Sequence, residues 1–256
     1  MLAPQRQAAI LDRVRATGGV RVTDLAAEFG VSDMTIRRDL EALADRGLLA
    51  KVHGGATVMR PGSTDEPGFA AKSIRQRTEK AAIAARAAQL VTPGTAVALS
   101  AGTTTAELAQ RLVDVPELTV VTNSIPVADV FYRAGRSDQT VVLTGGVRTP
   151  SDALVGPVAL AAIRSLHLDL LFLGVHGMSE RAGFTTPNLM EADTNRALVA
   201  AAERLVVLAD HTKWGTVGIS SMAELSEAHV VVSDAALPEP ARAILTEHVE
   251  ELVIIP

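Results

Sequence analysis

The 256-residue sequence contains no cysteine, which excludes a disulfide framework and thiolate metal sites and fits a reducing compartment. Aromatic residues make up only 3%, so Ala, Val and Leu have to fill the core, and a hydrophobic fraction of 48% is ample for one. No stretch approaches the roughly 20 uninterrupted apolar residues of a membrane span. The longest candidate, Leu166 to Met178, is broken by His167, Asp169 and His176. The opening Met1-Leu2-Ala3-Pro4-Gln5-Arg6 lacks the basic-then-apolar order of a secretory signal. These absences predict a soluble, cytoplasmic protein with no membrane partner. Lysine is scarce as well: Lys51, Lys72, Lys80 and Lys213 are the only ones among 24 Lys and Arg.

The net charge of −5 argues by itself against a nucleic-acid binder, but its distribution reverses that argument. Residues 1–60 carry nine Lys/Arg against seven Asp/Glu, a balance of +2, and the remainder carries 15 against 22, a balance of −7. Only the surface that faces DNA has to be basic.

What is present begins with helical signals. Residues 4–16 place Ile10, Leu11 and Val14 at helical spacing before Gly18-Gly19. Thr23 and Asp24 open a second helix that ends at Gly30, and Ser32 is a natural N-cap for a third. In that third helix, about Ser32–Arg46 with Gly47 as its C-cap, Ile36, Leu40 and Leu43 share one face and Thr35, Arg38 and Glu41 lie away from it. Two helices joined by a tight Gly-Val-Ser turn make a helix-turn-helix. The β-prone stretches around His53-Gly54-Gly55 read as a hairpin wing. The predicted division is a winged helix-turn-helix domain at 1–58, a Pro/Gly-rich linker at 59–72, and an α/β domain at 73–256.

In that third segment short apolar runs (96–99, 119–122, 140–144, 169–174, 205–209, 229–232 and 252–255) alternate with helical stretches such as 79–90, 105–112, 127–133, 189–202 and 240–248. The alternation predicts a mostly parallel sheet covered on both faces. Ala101-Gly102-Thr103-Thr104-Thr105, between a strand and a helix, offers backbone N–H groups, hydroxyls and a positive helix end to an anion; the same residues also suit an ordinary helix cap. Thr122-Asn123-Ser124 repeats that arrangement. Gly145-Gly146 would let a ligand approach the backbone, with Arg148 beside it to clamp an acid group. Lys213 lies in Asp210-His211-Thr212-Lys213-Trp214-Gly215, next to the only tryptophan. The histidines have no metal-ligand spacing, Glu191 and Asp193 are set at i, i+2 and point to different faces, and no catalytic constellation is legible. No metal or cofactor is expected.

Val31-Ser32-x-x-Thr35-Ile36-Arg37-Arg38-Asp39-Leu40, Gly47 and Val52-His53-Gly54-Gly55-Ala56 closely resemble the DNA-binding segment of the DeoR-type bacterial transcriptional regulators. The similarity continues through Lys80-Ala81-Ala82-Ile83-Ala84, the Gly-Thr-Thr-Thr loop, Val121-Thr122-Asn123-Ser124, Gly145-Gly146, Gly156 and Asp210–Gly215. The resemblance implies a winged helix followed by a sugar-phosphate-sensing domain like the fold of ribose-5-phosphate isomerases and CoA transferases, without their catalysis. It further implies an oligomeric repressor, a homodimer or homotetramer, that controls a carbohydrate-utilisation operon and is released by a phosphorylated metabolite. Two positions depart from the family pattern. Ser100 stands where an acidic residue is usual, and Asn195 where Lys is frequent, with Arg196 as a possible substitute cation.

The expected contacts to operator DNA are Ser32, Thr35, Arg37 and Arg38 on the recognition helix and Lys51 and His53 on the wing. The expected effector contacts are Ser100, Gly102, Thr103, Thr104, Thr105, Asn123, Gly145, Gly146, Arg148 and Lys213. The competing readings are an isomerase or deaminase with an accessory DNA-binding domain, and an architectural DNA binder without an effector.

Overall fold

A computed structural model describes residues 2–45, 48–57 and 63–256. The chain forms two compact units, which divide between Pro61 and Gly62. Met1, Arg46, the proposed cap Gly47, residue 58 at the end of the expected DNA-binding domain and residues 59–62 at the start of the expected linker lie outside the described residues.

The first unit contains helix α1 (Ala3–Thr17), strand β1 (Gly19–Arg21), α2 (Val22–Phe29), α3 (Asp33–Asp45), β2 (Ala50–Val52) and β3 (Gly55–Thr57). Its core is aliphatic: Ile10, Val14, Leu25, Ile36, Leu40, Leu43 and Leu49 are all buried. Helix α2 ends on Gly30 in the left-handed conformation (φ 64°), and Gly30 and Val31 both return hydrogen bonds to the carbonyl of Ala26. That sharp stop sets the angle at which α3 begins. Ser32 caps α3 as expected, its hydroxyl accepting from Thr35 N at 3.3 Å.

Strand β1 is an addition to what the sequence shows. It pairs antiparallel with β3, giving the order β1-β3-β2, so the hairpin is the larger part of a three-stranded sheet. Gly55 is required there, because a Cβ would lie 2.0 Å from the carbonyl oxygen of Val20. A buried ion pair ties α3 to α1: Arg6 Nε donates to Asp39 Oδ2 at 2.5 Å, and Gln7 Nε2 to Oδ1 at 3.1 Å.

The second unit runs through α4 (Phe69–Ser73), α5 (Arg77–Ala88), β4 (Ala96–Leu99), α6 (Thr103–Leu112), β5 (Thr119–Thr122), α7 (Ile125–Ala134), β6 (Thr140–Leu143), β7 (Val147–Arg148), β8 (Leu154–Val155) and α8 (Pro157–Ile163). It continues with β9 (Leu168–Gly174), β10 (Gly177–Ser179), β11 (Gly183–Thr186), α9 (Leu189–Ala201), β12 (Ala202–Leu208), β13 (Ser220–Ala223), β14 (Val230–Asp234), α10 (Glu239–His248) and β15 (Glu251–Ile255). Among the described residues, seven strands form one sheet in the order β15-β14-β12-β9-β4-β5-β6, and every neighbouring pair is parallel.

Alternate residues of each strand serve opposite faces. Leu170 and Phe172 pack with Ile83, Leu108 and Phe131 of α5, α6 and α7. Leu171 and Leu173 pack with Ala192, Leu198 and Leu245 of α9 and α10. The chain proceeds from β4 to β5 and β6 on one side, then returns to place β9, β12, β14 and β15 on the other. This reversal opens a crevice beyond the carboxyl ends of β4 and β9, where ligands bind in doubly wound sheets. A smaller antiparallel sheet, β10-β11-β13, and the short pair β7-β8 were not legible in the sequence.

The described part of the expected linker is bonded to the second unit instead of running free. Ser63 O accepts from Ile219 N at 2.7 Å, and Phe69 N donates to Pro150 O at 3.1 Å. Glu66 accepts from Ser151 Oγ and Asn188 Nδ2, both at 3.0 Å. From Phe69 the stretch is already helical, so the expected boundary at 72/73 falls inside α4; ahead of it Pro and Gly bar regular structure but not docking through side chains and carbonyls.

Deleting the Asp39 carboxylate removes two buried side-chain hydrogen bonds between α1 and α3, and a hydrogen bond to a charged group contributes about 1.5–3 kcal/mol. Asp39→Ala should therefore lower the stability of the first unit by roughly that amount. Hydrogen exchange of α1 and α3 amides measures the loss, and wild-type protection in the variant would contradict it.

Candidate functional site

In the first unit, one face of α3 stays clear of the core. Arg37 and Arg38 are exposed, Ser32 is exposed at the cap, and Thr35 is half-buried with its hydroxyl 2.9 Å from that of Ser32. Met34 stands on the same face, 60% exposed, an apolar group the sequence reading passed over. Asp39, between the arginines and the core, faces inward to Arg6, so three consecutive charged residues divide between surface and interior. Lys51 and His53 are exposed on the hairpin. Lys51 Nζ reaches back to Glu41 Oε1 at 2.9 Å, and this hydrogen bond holds the Glu41 carboxyl below its ordinary range. The pair is solvent-exposed, hence screened and easily exchanged for a phosphate.

The second unit has a cavity in the crevice between β4 and β9. Its wall includes Gly102, Thr103 and Thr104 at the start of α6, His176 just past β9, Glu191 and Asn195 of α9, and Met222 of β13. Lys72, Lys80 and Lys213 converge on the same wall, so three of the four lysines in the chain meet at one place. Lys80 Nζ donates to two backbone carbonyls, those of Lys72 and Arg75, each at 2.6 Å. An ammonium has three donors, so one remains. Burial pushes the Lys80 pKa down to about 8, with Asp210 opposing the shift and Lys213 and Lys72 adding to it. Burial also lowers Lys72, whose Nζ donates to Ser151 Oγ at 2.8 Å. His176 is driven down to about 4, first by burial and then by Lys213 and Lys72, so its ring is neutral at pH 7.

Glu191 is a buried carboxyl raised by that burial, with a hydrogen bond from Thr149 opposing. Its Oε1 accepts from Thr149 Oγ1 at 2.6 Å and its Oε2 from Thr186 Oγ1 at 3.2 Å. On this wall two buried polar atoms, His176 Nε2 and Asn195 Oδ1, have no hydrogen-bond partner.

Of the expected effector residues, Gly102, Thr103, Thr104 and Lys213 lie on this wall and the others do not. Ser100 is fully buried behind it; its Oγ accepts from Gly174 N at 3.0 Å and joins the ends of β4 and β9. Thr105 Oγ1 donates to Ser100 O at 2.7 Å, folding the loop onto itself. Asn123 Oδ1 accepts from Ala101 N at 2.9 Å and its Nδ2 donates to Leu154 O at 3.3 Å, so both ends of the amide are occupied in holding the loop.

Gly145 and Gly146 are not on the wall either. They take positive φ (72° and 124°) where a Cβ on Gly146 would come within 2.5 Å of Val155 O. Arg148 is paired at the surface with Asp152 at 2.6 Å. Arg196, the possible substitute cation, points outward to Asp193 at 2.5 Å and to the carbonyl of Ser221. Lys72, Lys80, His176, Glu191 and Met222 were missed as site residues because the contacts that assemble them span most of the unit. The scarcity of lysine was the one signal that could have found the first two. Trp214, beside Lys213, is half-buried against the α9 face of the sheet.

Comparisons with known proteins match both ends of the chain. Residues 6–61 match the DeoR-like helix-turn-helix domain and residues 75–235 the DeoR C terminal sensor domain. An uncharacterized HTH-type transcriptional regulator of Escherichia coli K12, YgbI, is 38% identical over 99% of this chain and 98% of its own. The glycerol-3-phosphate regulon repressor of the same organism is 30% identical over 97% of both. Among solved structures, ribose 5-phosphate isomerase A of Methanocaldococcus jannaschii aligns with 54% of this chain and about half of its own length, 54%, at 16% identity and a TM-score of 0.39. With both domains matched in order and full-length relatives at this identity, the chain belongs to the DeoR family of transcriptional regulators.

Proposed function

We propose that this protein is a repressor of a carbohydrate-utilisation operon, released from its operator when a phosphorylated metabolite fills the lysine-lined cavity. The observation that carries the effector half is the convergence of Lys72, Lys80 and Lys213 at the N-terminus of the ten-residue helix α6. Lys72 and Lys80 spend their hydrogen bonds on neutral oxygens, and a group of buried and half-buried cations held in this way favours an anion. The threonines of the loop supply neutral donors to the same anion. The glycerol-3-phosphate regulon repressor, a relative over nearly the full length, bears a phosphorylated compound in its name.

Helix α3 enters the major groove, with Ser32, Thr35, Arg37 and Arg38 reaching bases or phosphates, and Lys51 and His53 engage the backbone beside it. One such module is small, so operator affinity at physiological salt requires two or more copies; the second unit brings them together as a homodimer or homotetramer. Arg38→Ala should weaken operator binding by about 1–3 kcal/mol if it reads a base, or flatten the salt slope by about one if it holds a phosphate. An unchanged affinity and an unchanged slope in a fluorescence titration would defeat the recognition-helix assignment.

The route from effector to DNA runs through the docked segment 63–72. Ser151 Oγ donates to Glu66 and accepts from Lys72, so a phosphate that draws Lys72 toward itself loosens the ties of the segment that continues toward the DNA-binding unit. Glu66→Ala cuts two of these ties, so it should leave phosphate binding within about threefold and raise reporter expression in the absence of effector, since a coupling of this kind is worth about 1–3 kcal/mol. Wild-type repression without effector and wild-type induction with it would refute this route.

Occupancy is expected to depend on pH with a defined sign. A phosphate ester is dianionic above about pH 6, whereas Lys80 loses its proton as pH rises through about 8. Thermal stabilisation by inorganic phosphate should shrink between pH 7.5 and roughly 9.5. The free protein shifts the other way: Lys80 has a folded pKa below its unfolded value, so its contribution to stability rises with pH between about 8 and 10.5. The phosphate-free baseline is therefore subtracted at each pH. Lys213→Ala and Thr104→Val should both reduce the phosphate effect while operator affinity is retained; a full effect in both would rule out this cavity.

An isomerase or deaminase reading has one observation in its favour, the buried carboxyl of Glu191 among lysines, the ingredients of an enolising base. Both oxygens of Glu191 already accept threonine hydroxyls, which positions it as a wall and not as a free base. Turnover of pentose or hexosamine phosphates by the purified protein would restore the enzymatic reading.

A further inference from the structure

Helix α9 and strand β13 give the cavity a second chemistry, distinct from that of the lysines. Asn195 is 94% buried by its 6% exposure, and its Nδ2 donates to the thioether Sδ of Met222 at 3.0 Å. A thioether only accepts hydrogen bonds, so the amide nitrogen belongs on that side and the carbonyl oxygen on the other. Oδ1 is thereby left as a buried acceptor without a partner on the wall of an anion site. An unpaired buried acceptor costs about 1–3 kcal/mol, which a ligand donor recovers. Glu191, one turn earlier on α9, is also an acceptor at this wall. Arg196, the nearest cation along the helix, is turned outward and engaged by Asp193.

We propose that Asn195 reads a hydroxyl group of the effector: the phosphate is held by the lysines and the α6 N-terminus, and a hydroxyl on the carbon chain donates to Asn195 Oδ1. The effector is then a polyhydroxylated phosphate ester, and an alkyl or acyl phosphate of equal length is a poor substitute. A hydroxyl suits the site better than an ammonium, because three lysines share the cavity. This inference rests on the anion-site reading above, and the test separates the two.

Isothermal titration of the full-length protein compares inorganic phosphate with polyol phosphates and their alkyl counterparts: glycerol 3-phosphate against propyl phosphate, and sorbitol 6-phosphate against hexyl phosphate. For the chain length that binds best, the polyol ester should bind at least about tenfold tighter than its alkyl counterpart, because a site built around a hydroxyl rejects an analogue lacking it. Asn195→Leu, close in volume, should cut that ratio by about tenfold, and Asn195→Asp, which keeps an acceptor oxygen at the same place, should preserve it. If neither phosphate nor any ester binds, the anion-site reading falls and this inference with it. If phosphate binds and the wild-type ratio is near one, or Asn195→Leu keeps the wild-type ratio, the hydroxyl reader alone is overturned.

Discussion

Removing an ammonium from water is costly unless protein oxygens replace the lost hydration. At Lys80 the replacement is a pair of carbonyls, from Lys72 in α4 and from Arg75 just after it, each 2.6 Å away. Much of the second unit depends on that arrangement. The carbonyls can face Lys80 only because the chain turns sharply between α4 and α5, with Gln76 in the left-handed region at φ 46°. That turn in turn brings Lys72 to the cavity and lays the preceding segment along Ser151 and Asn188. The cation, the strained turn and the docked segment are one mechanical unit, assembled beside a helix N-terminus that also favours negative charge.

The sheet was legible almost strand by strand, because strands buried on both faces are continuous apolar runs and need no knowledge of their partners. The helix-turn-helix was equally open, since Gly30, Ser32 and the Ile36, Leu40, Leu43 spacing act within 14 residues. The small sheet β10-β11-β13 escaped because its strands are short and one of them, Ser220–Ala223, arrives from beyond α9 and β12. Strand β1 escaped because three residues beside a helix carry no periodicity.

The cavity was half legible. Local signals identified the Gly-Thr-Thr-Thr loop, yet they also drew in Ser100, Thr105 and Asn123, which stand behind the wall and shape it. Strand-to-helix turns need internal hydrogen bonds as much as they offer external ones, and sequence alone does not separate the two uses. Lys72 was hidden in a stretch whose composition suggested a linker, and Lys80 in an ordinary helix. Among the described residues no helix is long and apolar enough to cross a membrane, and no cluster of His, Asp and Glu is arranged to hold a metal.

The placement of Trp214 has a consequence of another kind. It is the only indole in the chain, half-buried, and its neighbour in sequence, Lys213, is part of the cavity wall. The first unit contains no tryptophan at all, so intrinsic emission originates wholly in the effector-binding half. A chromophore thus stands one residue from the cavity wall and none lies in the first unit, so emission reports on the second unit without any label and without interference from the first.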